Sequence, residues 1–476
     1  MILAHGNHAG SGANRTKIPI KDVCEETILS IPHIPPSLKF LPALLFLLVF
    51  SPLAQAEDLE AIYRKALAND PQFLGSLHAR RAAEESLDQA QAGYLPNVSL
   101  DVERTETTQD VISSDNAVFA VGQTRFPTNS YTLKLTQPLF QWASIVRIRQ
   151  AEVESKRAEV EFFKARQDLI LRTAERYMKV LAARDLLAFS ETEKNAVKRQ
   201  LELARGRYRM GLARLTDKLD AEARYAWVES VSVENRFAVE DSLQELREST
   251  GELPGDLSPL KKDIVLERPD PDDLQRWIDT ALESNPDMII QRYAVEIARH
   301  ERERQKAGHL PTLDLVARQN YRDTGGTLFG GGSEVRNRDI LLRFSLPIYE
   351  GGMVSSRARE SAELYAKAKQ DLEQQTRLTV RQATAAYHGV ISAISKVEAL
   401  KQAVKSQQRT LKAKREGFKS GLNTNIQVLD AERDLYQAKK DYAQARYEYL
   451  LNSLRLKKVT GNLTEQDLLA INNWLE

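Results

Sequence analysis

Two hydrophobic periods alternate along the chain. Val98, Leu100 and Val102 alternate with Ser99, Asp101 and Glu103, and Tyr131, Leu133 and Leu135 alternate with Thr132, Lys134 and Thr136. A period of two with polar partners predicts strands that are apolar on one side and wet on the other. Leu313, Leu315 and Ala317 predict a third strand, and Leu341 or Leu342 onward to Leu346 a fourth with less regular alternation. Elsewhere the period lengthens. Phe163, Ile170 and Tyr177 recur every seven residues, as do Ala174, Leu181 and Ala188, the two series interleaved by four. Val380, Tyr387 and Ile394, with Thr384 and Ile391, repeat the pattern further on. This is the seam of a long antiparallel coiled coil.

The continuous helix expected over roughly 143–210 would be on the order of 100 Å long. Helices at roughly 58–93 and 216–250 are each about half that length and could stack end to end along it. Gly93 with Pro96, and Gly308 with Pro311, read as helix stops in which glycine takes a left-handed cap.

The order of these elements occurs twice. Asp58-Leu59, Ala66-Leu67, Asn69-Asp70-Pro71 and the run Ala92 to Leu100 return as Asp273-Leu274, Ala281-Leu282, Asn285-Pro286 and Ala307 to Leu315. Pro138-Leu139-Phe140 matches Pro347-Ile348-Tyr349. Gly211-Leu212, Asp220-Ala221-Glu222 and Thr250-Gly251 match Gly421-Leu422, Asp430-Ala431-Glu432 and Thr460-Gly461. Self-similarity of this kind marks a duplicated unit, here helix, strand, strand, helix, turn, helix. The expected domains are an N-terminal extension with a signal peptide (1–56), repeat 1 (57–250), an equatorial linker (251–270) with Pro254, Pro259 and Pro269, and repeat 2 (271–476).

The apolar run Phe40 to Ala54 follows Lys39 and precedes Ala54-Gln55-Ala56. A basic flank, a short core and a small-residue site predict a secretory signal cleaved after Ala56; the run is shorter than the roughly 20 residues of a spanning helix. Cleavage removes Cys24, the only cysteine, and places Glu57 first, which excludes disulfides and a lipid anchor on an N-terminal cysteine. The exported chain carries 63 residues of each charge sign, without the basic excess of a nucleic-acid binder.

Four strands with one apolar face cannot close a membrane barrel, which needs at least eight. Two copies give eight strands and three give twelve, with the helices continuing the barrel as a tube. At this point the chain resembles the TolC family of outer-membrane exit ducts of Gram-negative bacteria. The resemblance covers nearly all of 57–476 and is carried by HLPTLDL (His309 to Leu315), SLPIYEGGMV (Ser345 to Val354), Val428-Leu429-Asp430-Ala431 and GNLTEQDLLAINN (Gly461 to Asn473). It implies an α+β membrane protein: a homotrimer whose twelve-stranded β-barrel in the outer membrane continues as a coiled-coil α-helical barrel in the periplasm. It further implies a periplasmic membrane-fusion adaptor and an inner-membrane ABC or proton-driven pump as partners, for type I protein secretion or efflux, without a cofactor.

The helix-turn-helix tips at 208–222 and 418–432 correspond in that family to the periplasmic entrance. Gly211, Leu212, Gly421 and Leu422 are then the docking tips, and Asp217, Asp220, Gln427 and Asp430 the entrance positions at which the family has acidic rings. Threefold symmetry makes each pore-facing Asp a ring of three carboxylates that attracts cations. The plainer reading is that these residues start the returning helices, where carboxylates suit the helix dipole. The family latch maps onto Thr216, Asp217, Phe418 and Asn423. It departs from the family pattern, because Phe418 stands for a tyrosine, Asn423 for an arginine and Gln427 for a ring aspartate. Phe418 cannot donate a phenolic hydrogen bond and Asn423 cannot form a bidentate ion pair.

Pro96, Pro138, Pro311 and Pro347 mark the four helix–strand transitions, with Phe140, Trp142 and Tyr349 beside them at the expected level of an aromatic girdle. The glycine-rich Gly325 to Gly332 lacks a Gly-Lys-Ser/Thr ending and reads as the outer loop of the second hairpin, with 113–127 its counterpart in the first. His78, His300, His309 and His388 lack metal-ligand spacing, and no nucleophile elbow is present, so neither a catalytic nor a metal site is expected. A periplasmic coiled-coil adaptor is the alternative; the strand hairpins speak against it.

Overall fold

The computed structural model describes residues 56–113, 122–326 and 331–476. The signal segment up to Gln55, Cys24 and parts of both outer loops lie outside the described residues. The elements run α1 (Leu59–Asn69), α2 (Pro71–Ala92), β1 (Asn97–Val111), β2 (Gly122–Phe140), α3 (Trp142–Arg209), α4 (Leu215–Thr250), α5 (Leu274–Ser284), α6 (Pro286–Lys306), β3 (Thr312–Thr324), β4 (Ser333–Ser345), α7 (Met353–Lys419), α8 (Asn425–Val459) and α9 (Glu465–Asn472). Among the described residues no helix is long and apolar enough to cross a membrane.

The helix expected over 58–93 is in fact two. Asp70 precedes Pro71, and proline disfavours a helical residue before it while suiting the first position of a new helix. Asp70 sits in extended geometry, and its Oδ1 accepts from the Phe73 amide at 2.8 Å. Asn285 does the same before Pro286, accepting from the amides of Asp287 and Met288. The two stops also differ from expectation. Gly93 has φ −62°, so it is not a left-handed cap. Gly308 lies in a short 3-10 turn where an added Cβ would come 2.9 Å from Val354 Cγ1, so close approach to α7 explains that glycine.

Along α3, contacts descend in order. Arg80 of α2 stacks on Phe162; Asp70 pairs with Arg172 at 2.8 Å; Lys179 and Glu193 of α3 pair with Glu245 and Arg224 of α4. α2 and α4 thus occupy successive lengths of α3, both antiparallel to it. Midway, the Tyr177 hydroxyl donates to the carbonyls of Glu57 and Ser258, tying the linker and the start of α1 to α3. Leu59, Ile62, Leu246, Leu454, Leu463 and Leu468 are buried here, each contributing ~1.5–3 kcal/mol. On α3 the expected heptad seam holds at Ile170, Ala174, Tyr177 and Leu181, which are buried, and lapses at its ends, where Phe163 is 46% exposed and Ala188 is also exposed. On α7 the buried series is Ala383, Val390 and Val397, with Tyr387 shared.

The four strands form one antiparallel sheet in the order β1-β2-β3-β4. Paired residues share a face, and the register places Val98, Leu135, Ala317 and Ile340 in one rung and Leu100 and Leu133 in the next. Phe344, Leu342 and Ile340 face that side, which settles the irregular fourth strand: Leu341 points the other way, in the rung of Thr136 and Val316. The opposite face is polar, with Ser99, Lys134, Arg318 and Asp339 in one rung and Arg318 paired to Asp339 at 2.9 Å. β2 begins at Gly122, so part of the segment expected as the first outer loop is strand.

Candidate functional site: the paired helical tips

Each long helix turns back through the same device. Gly211 (φ +72°) and Gly421 (φ +76°) occupy the left-handed region that favours glycine. The amide of Leu212 donates to Arg207 O at 2.9 Å, and that of Leu422 to Gly417 O at 2.8 Å, closing a Schellman turn in each repeat. Leu212 and Leu422 are thereby pushed out, 71% and 83% exposed.

The returning helices start on equivalent residues. Asp217 Oδ2 accepts from the Arg214 amide at 3.2 Å, and Gln427 Oε1 from the Thr424 amide at 3.0 Å. Thr424 completes a reciprocal capping box by accepting from the Gln427 amide, which Arg214 cannot do because its side chain has no acceptor. The helix-start reading therefore describes Asp217, and Gln427 does the same work without charge. Asp220 and Thr216 are exposed, while exposed Asp430 lies 3.5 Å from Arg433.

Asp217, Phe418, Asn423, Leu212 and Gly421 line one groove of about 440 Å³ between the two tips, together with Arg207 and Arg214. The Arg207 guanidinium lies over the Phe418 ring at 4.8 Å, a contact between the repeats. Phe418 itself packs on Leu411, Val428, Ala431 and Leu435. Asn423 stays on its own hairpin: its Nδ2 reaches Lys414 O at 3.4 Å and fills the space where a Cβ at Gly417 would stand.

Above the tips lies a charge network that the sequence reading missed. Arg205 pairs with Glu222 at 3.0 Å, and Arg415 with Glu432 at 2.6 Å, so the same pair braces each hairpin. Glu222 is partly exposed, whereas Glu432 is 1% exposed. Glu193 of α3 is also buried and accepts from Arg224, whose guanidinium stacks on Trp227 at 4.5 Å. Burial pushes the Glu193 carboxyl above its ordinary range; Arg224 opposes the shift and the negative charge of Glu432 adds to it. The signal was present: the Asp-Ala-Glu motif recurs together with an arginine seventeen residues before each glutamate.

The four prolines differ in placement. Pro96 and Pro311 immediately precede β1 and β3, and Pro347 lies between β4 and α7. Pro138 is inside β2, at an irregularity in the pairing with β3, where a missing donor is tolerated. Tyr349 is 85% exposed and Phe140 39%, while Trp142 carries Arg149 over its ring. Among the described residues no group of three or more His, Cys, Asp or Glu could hold a metal ion.

The family model described as outer membrane efflux protein matches residues 62–252 and 277–462. Over 450 residues the chain is 33% identical to the outer membrane protein TolC of Escherichia coli strain K12, covering 92% of this chain and 89% of that one. It is 28% identical to the proteases secretion protein PrtF of Dickeya chrysanthemi, over 89% and 92% of the two chains. The crystal structure of the Campylobacter jejuni CmeC outer membrane channel superposes with a TM-score of 0.75 at 14% identity, covering 88% and 90%.

Proposed function

The chain belongs to the outer membrane efflux protein family, and from that premise we propose how it conducts and closes. It is an outer-membrane exit duct for type I secretion and efflux, with its helical part in the periplasm. Channels of this family work with adaptors and inner-membrane pumps. Our reading is that three copies join, β4 of one against β1 of the next, into a twelve-stranded barrel whose apolar face meets lipid. The helices form the tunnel, the pump supplies the energy, and the chain itself catalyses nothing. The two matched segments support the partition into repeats 57–250 and 271–476 about a 251–270 linker.

The observation that carries this reading is a four-stranded sheet with one face apolar over its helix-side part and both edge strands unpaired among the described residues. Open edges in lipid leave backbone groups unsatisfied, so the sheet requires further copies. Chemical cross-linking of the membrane-extracted protein should stop at three copies and the same material should conduct in planar bilayers. A limit of two or four copies would overturn the trimer.

At the entrance, Gly211, Leu212, Gly421 and Leu422 present the docking surface, and Asp220 and Asp430 face the pore. Closure uses the contact between hairpins: Arg207 over Phe418 stands where a tyrosine and an arginine would otherwise make the latch. Thr216, Asp217 and Asn423 flank that contact, with Asp217 and Gln427 holding the helix starts.

A further inference from the structure

On the apolar face of the sheet, each strand changes character toward its loop end. On β1, Val98, Leu100 and Val102 are followed by Arg104; on β4, Phe344, Leu342 and Ile340 are followed by Arg338 and Arg336. On β2 the next residue facing that way after Tyr131 is Asn129, and on β3 after Ala317 it is Gln319. The first polar step is thus cationic or neutral on every strand. Of the carboxylates of this face, Asp323 and Glu334 come after Gln319 and Arg336 on their own strands, in the rung of Arg104 and Asn129, and Glu106 and Asp110 come nearer the loops.

Arg104 has Glu106 at 3.6 Å, and Glu106 is already engaged by Arg125 at 2.8 Å. Among the described residues Arg336 and Arg338 have no carboxylate within ion-pair distance, and Arg336 lies 5.9 Å over Tyr321, which stacks against Tyr131. An arginine on the lipid face costs ~2–4 kcal/mol at mid-bilayer and almost nothing at the headgroups. Arginines that directly cap an apolar face therefore lie at the headgroup layer, where a guanidinium binds phosphate through two hydrogen bonds.

The helices attach at the opposite end of the sheet, so this end faces the outer leaflet, which carries phosphorylated glycolipid. The proposal rests on the closed-barrel reading above, in which β4 of one copy adjoins β1 of the next. We propose that each such seam, with Arg336 and Arg338 from one side and Arg104 from the other, binds a phosphate of an outer-leaflet glycolipid, giving three lipid sites around the barrel.

The test uses the full-length protein in detergent, incubated with a diphosphorylated glucosamine-based lipid or its dephosphorylated form, with bound lipid counted by native mass spectrometry. The phosphorylated lipid should be retained by the wild type and about fivefold or more weakly by Arg336→Gln/Arg338→Gln, and Arg104→Gln should lower retention further. Arg336→Lys/Arg338→Lys should retain most binding and controls for folding. Equal retention by wild type and the Gln variant, or equal retention of the two lipids, would overturn the site. So would displacement by inorganic phosphate at about 10 mM, which would show a free-anion site. Planar-bilayer conductance of the same samples separates this from failure of the duct itself: a wild type that does not conduct would sink the barrel reading.

Discussion

Replacing Arg207 by Gln removes the cation from the face of Phe418 and leaves the packing of Phe418 on Leu411, Val428 and Leu435 intact. Arg207 is exposed and Phe418 half-buried, so the contact belongs at the weak end of its range, about 0.5–1 kcal/mol. If three copies open together, the closed state loses about 1.5–3 kcal/mol, a shift of roughly tenfold to a hundredfold in the open-to-closed ratio. Single-channel recording in planar bilayers measures that ratio directly. Phe418→Leu, which keeps an apolar side chain but removes the π face, should act in the same direction. The double variant should add little to either single change, because both remove one interaction. Phe418→Tyr keeps the ring face and should close at least as firmly. An Arg207→Gln open fraction within about twofold of wild type would refute the latch.

Four further outcomes are expected. Asp430→Ala should weaken block of the current by divalent cations, and unchanged block would remove Asp430 from the pore. Glu432→Ala should destabilise by about 1–3 kcal/mol in thermal or denaturant unfolding, against less than about 1 kcal/mol for Glu222→Ala, because only the first empties a buried site; equal losses would contradict the burial argument. Glu193 binds its proton more tightly folded than unfolded, so its contribution is fully present at acid pH and is lost as pH rises through its raised pKa. Glu193→Gln should therefore flatten the fall in melting temperature as pH rises above the ordinary carboxylate range, and a slope identical to wild type would show that Glu193 does not titrate there. Gly461→Ala meets both a φ of +75° and a Cβ position that overlaps the Ser284 carbonyl oxygen, and should cost about 3 kcal/mol or more; a well-folded variant with wild-type melting would show that the turn can relax.

Strand faces were legible because a period of two survives any tertiary context: Val98, Leu100 and Leu133 lie where alternation placed them. The duplication was legible because turn glycines and Asp-Ala-Glu recur in order, and both tips close on those glycines. The break at Asp70 was not, because hydrophobic spacing runs on through Pro71 and only the cap chemistry interrupts it. Gly93 was misread because a helix end with glycine and proline nearby does not specify φ. The shifted α7 seam reflects packing on more than one side, which a single heptad frame does not describe. Arg207 against Phe418 joins residues from different repeats, so no local spacing announces it. Charged side chains on coiled coils ordinarily face water; Glu193 and Glu432 are buried instead, each against an arginine of the facing helix.

The paired turns also set a stoichiometry. Gly211-Leu212 and Gly421-Leu422 are the same geometry presented twice per chain, so a partner that recognises only the exposed leucine on its tight turn counts six equivalent positions around the proposed trimer. A partner that reads what distinguishes the hairpins, Arg214 and Asp217 against Thr424 and Gln427, counts three. Binding titrations that saturate at three or at six per trimer would thus report which part of the turn the partner touches.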